Sequence, residues 1–216
     1  MRVHRIVAPR SARYVTLGRP AAEASEVWFA LHGYGQLARR FARWLTPLAD
    51  AGHAVVVPEG LSRFYTDHGR GIVGASWMTR EDRDDEIADY VRYLDAVAEA
   101  VRSPDRVDRP VHLLGFSQGS ATACRWVERG AIRPARLVLW GGEVPPDLDW
   151  ALAGPRFRDL EVTLVAGDGD EYFSAKVLER HAETLRANGV RYRVARYPGD
   201  HSIDPAALSD LLADRL

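Results

Sequence analysis

The sequence predicts an α/β fold: a mostly parallel sheet with helices on both faces, preceded by an N-terminal antiparallel hairpin. Short apolar runs rich in β-branched and aromatic residues recur at 27–31, 54–57, 111–116, 137–140, 162–166 and 192–197. Several are apolar throughout, as strands covered on both faces must be. Between them lie stretches whose apolar residues repeat every three or four positions, the period of a helix with one buried face. Glycine and proline at the flanks supply the turns.

Taken in order, residues 3–8 and 13–17 read as short extended pieces separated by Pro9-Arg10-Ser11, which is turn chemistry and makes the hairpin. Leu37, Phe41, Trp44, Leu45 and Leu48 mark a helical pattern. Residues 60–79 contain several glycines and show no clear period. The strongest helix carries Ile87, Tyr90, Val91, Leu94, Val97, Ala98 and Val101. Thr79 followed by Asp82 resembles a capping box at its start, and acidic residues crowd its first turn, where the helix dipole favours negative charge. A later helix runs from Lys176 to a stop at Asn188-Gly189. The last begins at Asp204-Pro205, a cap followed by an N1 proline, and carries Leu208, Leu211 and Leu212. No repeat or long insertion interrupts the series. One domain over residues 1–216, an open site and no large lid domain are therefore expected.

The totals fit such a domain. Hydrophobic residues make up 46% and charged residues 27%, an ordinary globular balance. With 29 Lys+Arg against 30 Asp+Glu the net charge is -1, so no global field favours nucleic acid as a partner. Cys124 is the single cysteine, which excludes an internal disulfide and thiolate-rich zinc sites and fits a reducing, cytoplasmic setting. No apolar run approaches the roughly 20 residues of a membrane helix, and the first thirty residues lack a signal-peptide core. A soluble protein without an integral membrane segment is expected.

The chemistry starts at Gly115-Phe116-Ser117-Gln118-Gly119, a G-x-S-x-G sequence between a predicted strand and a small-residue helical stretch. This is nucleophile-elbow context, where the turn is too tight for a side chain on either flank and the serine Oγ is left exposed. Eighteen glycines in 216 residues make glycine at both flanks of a serine rare by chance. A serine hydroxyl needs an adjacent base, usually histidine, whose tautomer a carboxylate fixes. In the chain order Ser, acid, His, the last histidine, His201, follows the strand at 192–197 and is the expected base. Alone, Pro198-Gly199-Asp200-His201-Ser202 would read as a polar surface turn. The acid should leave the strand at 162–166, which opens into Gly167-Asp168-Gly169-Asp170-Glu171. Asp168 is suited to shaping the turn by Asx-type bonding, leaving Asp170 or Glu171 for the imidazole, with Asp170 preferred. The loop lacks calcium-loop spacing, and no metal is expected. The strand at 27–31 ends in His32-Gly33-Tyr34-Gly35, which suits an oxyanion hole built from the backbone N–H groups of Tyr34 and Gln118. His32 itself reads as a structural hydrogen-bonding residue rather than a second base.

With these pieces in place, the sequence resembles the phospholipase/carboxylesterase family of α/β-hydrolases, which includes acyl-protein thioesterases. The matching stretches are LHGYGQ (31–36), VVVPEG (55–60), SWM (76–78), GFSQGS (115–120), LWGGEVP (139–145), GDGD (167–170) and the segment ending at His201. The resemblance implies the α/β-hydrolase fold, the triad Ser117, Asp170 and His201, the amides of Tyr34 and Gln118 as oxyanion hole, and no metal or organic cofactor. Trp77-Met78-Thr79 stands where family members commonly have Trp-Phe-Asp, and Glu171-Tyr172-Phe173 where a Val-Pro is common. These loops usually touch the acyl group, so the resemblance stops short of the substrate.

The expected activity is cleavage of a small-molecule ester or thioester through an acyl-enzyme on Ser117. An acyltransferase using the same triad and a catalytically silent binding protein on a hydrolase fold are the alternatives. A homodimer is compatible with the sequence. Trp28, Trp44, Trp126 and Trp140 fall on predicted strands or helices and read as core. Trp77, with Phe64, Tyr65 and Met78, is expected to line an acyl pocket beside Ser117. The charge run at 79–86 reads as a solvated helix start and Cys124 as packing, while Glu143 is a candidate to face the site.

Overall fold

The computed structural model describes residues 1–102 and 109–216. Its strands are β1 (Tyr14–Gly18), β2 (Val27–Leu31), β3 (Ala54–Pro58), β4 (Ser62–Asp67), β5 (Ile72–Ser76), β6 (Val111–Phe116), β7 (Arg136–Trp140), β8 (Glu161–Gly167) and β9 (Tyr192–Tyr197). Its helices are α1 (Ala38–Phe41), α2 (Thr46–Asp50), α3 (Arg83–Val101), α4 (Gln118–Arg129), α5 (Trp150–Arg158), α6 (Ala175–Ala187) and α7 (Pro205–Leu212), with a 3-10 turn at Ala42–Leu45 joining α1 to α2.

Seven strands form one sheet in the order β1-β3-β2-β6-β7-β8-β9. All neighbours are parallel except β1, which runs antiparallel to β3. Each parallel strand needs a crossover, and the helices that provide them cover both faces. Alternation along the strands divides the core. Phe29, Val56, Leu113, Leu139 and Leu164 face α3, α4, α5 and α6. Trp28, Val55, Leu114, Val138 and Val165 face α1, α2 and α7. Both sets are buried, which is why the sequence shows continuous apolar runs.

The N-terminal antiparallel pair is present, but its composition differs from the expected hairpin. The partner of β1 is β3, with Tyr14 opposite Pro58 and Gly18 opposite Ala54, and residues 3–8 form no strand. Val15 and Leu17 pack on the core, whereas Val3, Ile6 and Val7 are exposed and have no surface to bury against. The region at 60–79, without visible period, forms the antiparallel ribbon β4–β5. The expected capping box at Thr79 and Asp82 does not form. Asp82 is the N-cap residue at φ 45° and makes no side-chain cap bond, while Glu86 accepts from the backbone N–H and hydroxyl of Thr79. The carboxylate sits within the first turn of α3 and reaches back, which still places negative charge at the positive end of the dipole.

At the other end of the chain, the Asp204 side chain accepts from the Ala207 N–H at 2.7 Å, with Pro205 following it in the first turn. This cap fixes the start of α7 directly after the loop that holds His201. Asp204→Ala should lower stability by about 1 kcal/mol, measurable as a reduced urea midpoint with unchanged slope.

Candidate active site

Ser117 joins β6 to α4 at φ 52° and ψ −118°, a conformation that costs a non-glycine residue energy and persists only where the surroundings enforce it. The Ser117 N–H donates to the Trp140 carbonyl at 2.9 Å, continuing the β6–β7 pairing into the turn. Both flanking glycines are sterically required. A Cβ on Gly115 would lie 2.5 Å from the Gly119 carbonyl oxygen, and one on Gly119 would lie 2.1 Å from that of Leu31. The Ser120 hydroxyl closes the turn on the Gly115 carbonyl at 2.7 Å.

Residues far apart in sequence meet at this turn. His201 Nε2 lies 3.0 Å from Ser117 Oγ, and His201 Nδ1 lies 2.8 Å from Asp170 Oδ2. Of the three carboxylates in the loop after β8, Asp170 is the one at the imidazole. Its Oδ1 accepts the N–H groups of Tyr172 and Phe173 at 2.9 and 2.7 Å, which holds the carboxylate in one orientation. Asp168 pairs with Arg196 at 2.7 Å instead of shaping an Asx turn, and Glu171 is exposed. The two loops are tied by backbone bonds from Asp168 N–H to Tyr197 and from Gly169 N–H to Gly199. The imidazole lies between the rings of Phe116 and Tyr172, at centroid distances of 5.1 and 5.0 Å.

The loop 32–36 flanks the serine. A Cβ on Gly33 would stand 3.2 Å from Ser117 Cβ, so glycine permits this approach. The ribbon β4–β5 supports the loop from outside: Gly35 N–H donates to Ala75, and Ala75 N–H donates to Gln36. Gln36 Oε1 accepts the Gly33 N–H at 2.9 Å. The backbone N–H groups of Tyr34 and Gln118 have no hydrogen-bond acceptor among the described residues. His32 is buried, which lowers its pKa to about 4 and keeps it neutral. It is thus unsuited to a second base role.

Four residues expected to line an acyl pocket fall in different surroundings. Trp77 is a correction: it is 1% exposed, packs against His32 and Tyr90, and donates its indole N–H to the His32 carbonyl at 2.8 Å. A loop without helical or strand period gave no sign that its aromatic ring turns inward. Met78 is half-buried against the same core, and its carbonyl accepts from Ser76 and from the Gln118 side chain. Phe64 is half-buried and lies against the Tyr34 ring at 5.1 Å, beside the site. Tyr65, next on the strand, projects to the opposite face of the ribbon, where it meets His68. Glu143 does not approach the triad; it is exposed and lies 3.8 Å from Arg180. Cys124 is fully buried, and burial raises its thiol pKa.

Several contributors were not visible in the sequence. The Gln118 side chain ties the elbow to residues 76–78, accepting from the Trp77 N–H at 3.1 Å and donating to the Met78 carbonyl. Gly141 and Gly142 let the chain after β7 pass close to the site. A Cβ on the first would meet Asp170 Oδ2 at 3.1 Å, and one on the second would meet the Ser117 carbonyl at 2.4 Å. Two consecutive glycines after a buried strand were the available signal. Among the described residues, no group of His, Cys, Asp and Glu is arranged to hold a metal, and no helix is long and apolar enough to cross a membrane.

The family model described as Phospholipase/Carboxylesterase matches residues 14–213. The chain belongs to this family. Membership makes it a hydrolase of the ester-cleaving class. Solved structures similar to this phospholipase/carboxylesterase member include acyl-protein thioesterase 2 from Zea mays, at 19% identity and TM-score 0.73, covering 95% of this chain and 99% of that one. A carboxylesterase from Mesorhizobium loti is 20% identical with TM-score 0.72, covering 94% of each chain. Arabidopsis thaliana SOBER1 is 18% identical with TM-score 0.69, covering 87% and 96%. At these identities the likeness establishes the α/β-hydrolase fold. No curated protein matches the chain in sequence.

Burial also lowers the pKa of His112 and His181, so three histidines bind protons more weakly folded than unfolded. The unfolded chain takes up more protons as pH falls below the ordinary histidine value of about 6.5, and stability falls with it. For His32 that loss runs from about 6.5 down to about 4. Urea midpoints measured across this range should decrease toward acid, and His32→Asn should flatten part of the slope.

Proposed function

We propose that this family member cleaves carboxylic esters, thioesters included, by acyl transfer through Ser117. The single observation carrying this reading is the continuous chain from Asp170 Oδ2 to His201 Nδ1 at 2.8 Å and from His201 Nε2 to Ser117 Oγ at 3.0 Å. With Nδ1–H donating to the carboxylate, Nε2 is the unprotonated nitrogen that receives the serine proton.

In the proposed sequence, Ser117 Oγ attacks the substrate carbonyl carbon while His201 takes the hydroxyl proton. The negative charge that develops on the carbonyl oxygen is met by the N–H groups of Tyr34 and Gln118, whose lack of an acceptor among the described residues supports this role. The intermediate collapses as His201 returns the proton to the departing alkoxide or thiolate, leaving an acyl ester on Ser117. Water then attacks that ester, His201 accepting its proton and returning it to Ser117 as the carboxylic acid departs. Asp170 keeps the imidazole in its tautomer and stabilises the imidazolium. No step requires a metal or organic cofactor.

Tyr172, which packs on His201, and Tyr34, which follows Gly33 beside Ser117, remain 79% and 59% exposed, so the proposed site is open and accepts a small-molecule substrate from solution. A single domain over residues 1–216, acting in the cytoplasm, remains the proposed setting. A fluorophosphonate probe should label the wild type and fail to label Ser117→Ala. With p-nitrophenyl acetate, Asp170→Asn should lower kcat by on the order of 10^4 through the wrong tautomer. Equal labelling of wild type and Ser117→Ala would reject the nucleophile assignment.

A further inference from the structure

Among the described residues, the Tyr34 N–H of the loop 32–36 has no hydrogen-bond acceptor, while the peptide groups on either side of it are engaged. The His32 carbonyl accepts from Trp77 Nε1 at 2.8 Å, the Gly33 N–H donates to Gln36 Oε1 at 2.9 Å, and the Gly35 N–H donates to the Ala75 carbonyl at 2.9 Å. The Gly33 carbonyl is bonded twice, to the Gln36 N–H at 3.3 Å and to His32 Nδ1 at 2.8 Å. Between these bonded groups, the Tyr34 N–H is left open.

The tautomer of His32 follows from its partners. Nε2 lies 2.9 Å from the Gly60 N–H, which can only donate, so Nε2 is unprotonated and Nδ1 carries the hydrogen it gives to the Gly33 carbonyl. The Gly33 carbonyl and the Tyr34 N–H belong to one planar trans peptide and point in opposite directions. Drawing the carbonyl toward a buried imidazole therefore directs the Tyr34 N–H away from that imidazole, next to Gly33, whose Cβ position lies 3.2 Å from Ser117 Cβ.

We propose that His32 is a positioning residue that sets the orientation of the Tyr34 N–H donor by fixing the Gly33–Tyr34 peptide plane, an inference that rests on the active-site reading above. The imidazole spans two segments: it accepts from Gly60 after β3 and donates to Gly33 after β2. Its brace ties the donor to the rigid end of the sheet. It works by geometry alone and never meets substrate. The neutral form is required, because a proton on Nε2 would face the Gly60 N–H.

Two measurements test this. In the wild type, ¹⁵N spectra of His32 at neutral pH should show the Nδ1–H tautomer, and an Nε2–H tautomer would overturn the inference without any variant having to fold. His32→Asn keeps a donor near the Nδ1 position, whereas His32→Gln offers an acceptor to Gly60 and loses the bond to Gly33. Loss of a whole oxyanion donor costs about 100 to 1,000-fold in turnover, so a misdirected one in His32→Gln should lower kcat by about 10 to 100-fold with KM nearly unchanged. His32→Asn should stay within about tenfold of wild type. An aryl trifluoromethyl ketone, which forms a tetrahedral oxyanion on the serine, should bind His32→Gln more weakly by the factor lost in kcat/KM. Equal kcat for the two folded variants, or a kcat loss without change in ketone affinity, would overturn the positioning role. Failure of the wild type itself to label with fluorophosphonate would instead reject the active-site reading, and this inference with it.

Discussion

The turn at Ser117 is the constraint around which the rest of the site is arranged. Its positive φ can be held only because Gly115 and Gly119 let three backbone segments approach within distances that forbid a Cβ. The Ser117 N–H is still bonded to β7, so the strained residue is anchored to the central sheet. Parallel strands ending together at one edge bring the loops after β2, β6, β8 and β9 to the same place. That is where open α/β sheets form their sites.

Around this turn, backbone atoms are fixed by buried and half-buried side chains. Trp77, His32 and Gln118 each bond to the main chain of a neighbouring loop, and Gln36 bonds to Gly33 within its own loop. The result is rigidity on the side of the proposed oxyanion donors. On the opposite side, Tyr172 covers His201 yet remains mostly exposed. The contrast is physically sensible: groups that stabilise developing charge work best when they need no reorganisation, whereas groups bordering the entrance must admit a substrate. The ribbon β4–β5 links the two demands, supporting the 32–36 loop while presenting Phe64 against Tyr34.

Much of this architecture was legible in the amino-acid order. The six runs correspond to the parallel strands; five are mostly apolar because both faces are covered, while the edge strand β9 buries only Ala195 and Tyr197. Asn188-Gly189 and Asp204-Pro205 bound α6 and α7 as their chemistry requires. The ribbon at 62–76 was hidden since its glycines and polar residues erase the alternation that marks a strand. Gly74, for instance, is there because a Cβ would come within 2.3 Å of the Gly35 carbonyl oxygen, a reason that lies entirely in another loop.

The sequence alone determined the succession of strands and helices, the tight serine turn and the late histidine, since each depends on sterics or periodicity within a few neighbouring residues. Tertiary structure decided the strand beside β1, the inward turn of Trp77, which of Asp168, Asp170 and Glu171 reaches the imidazole, and which backbone N–H groups are left without an acceptor among the described residues. Those outcomes depend on distances between segments tens of residues apart. Such distances arise only when the sheet twists and the helices pack, and a linear pattern carries no measure of them.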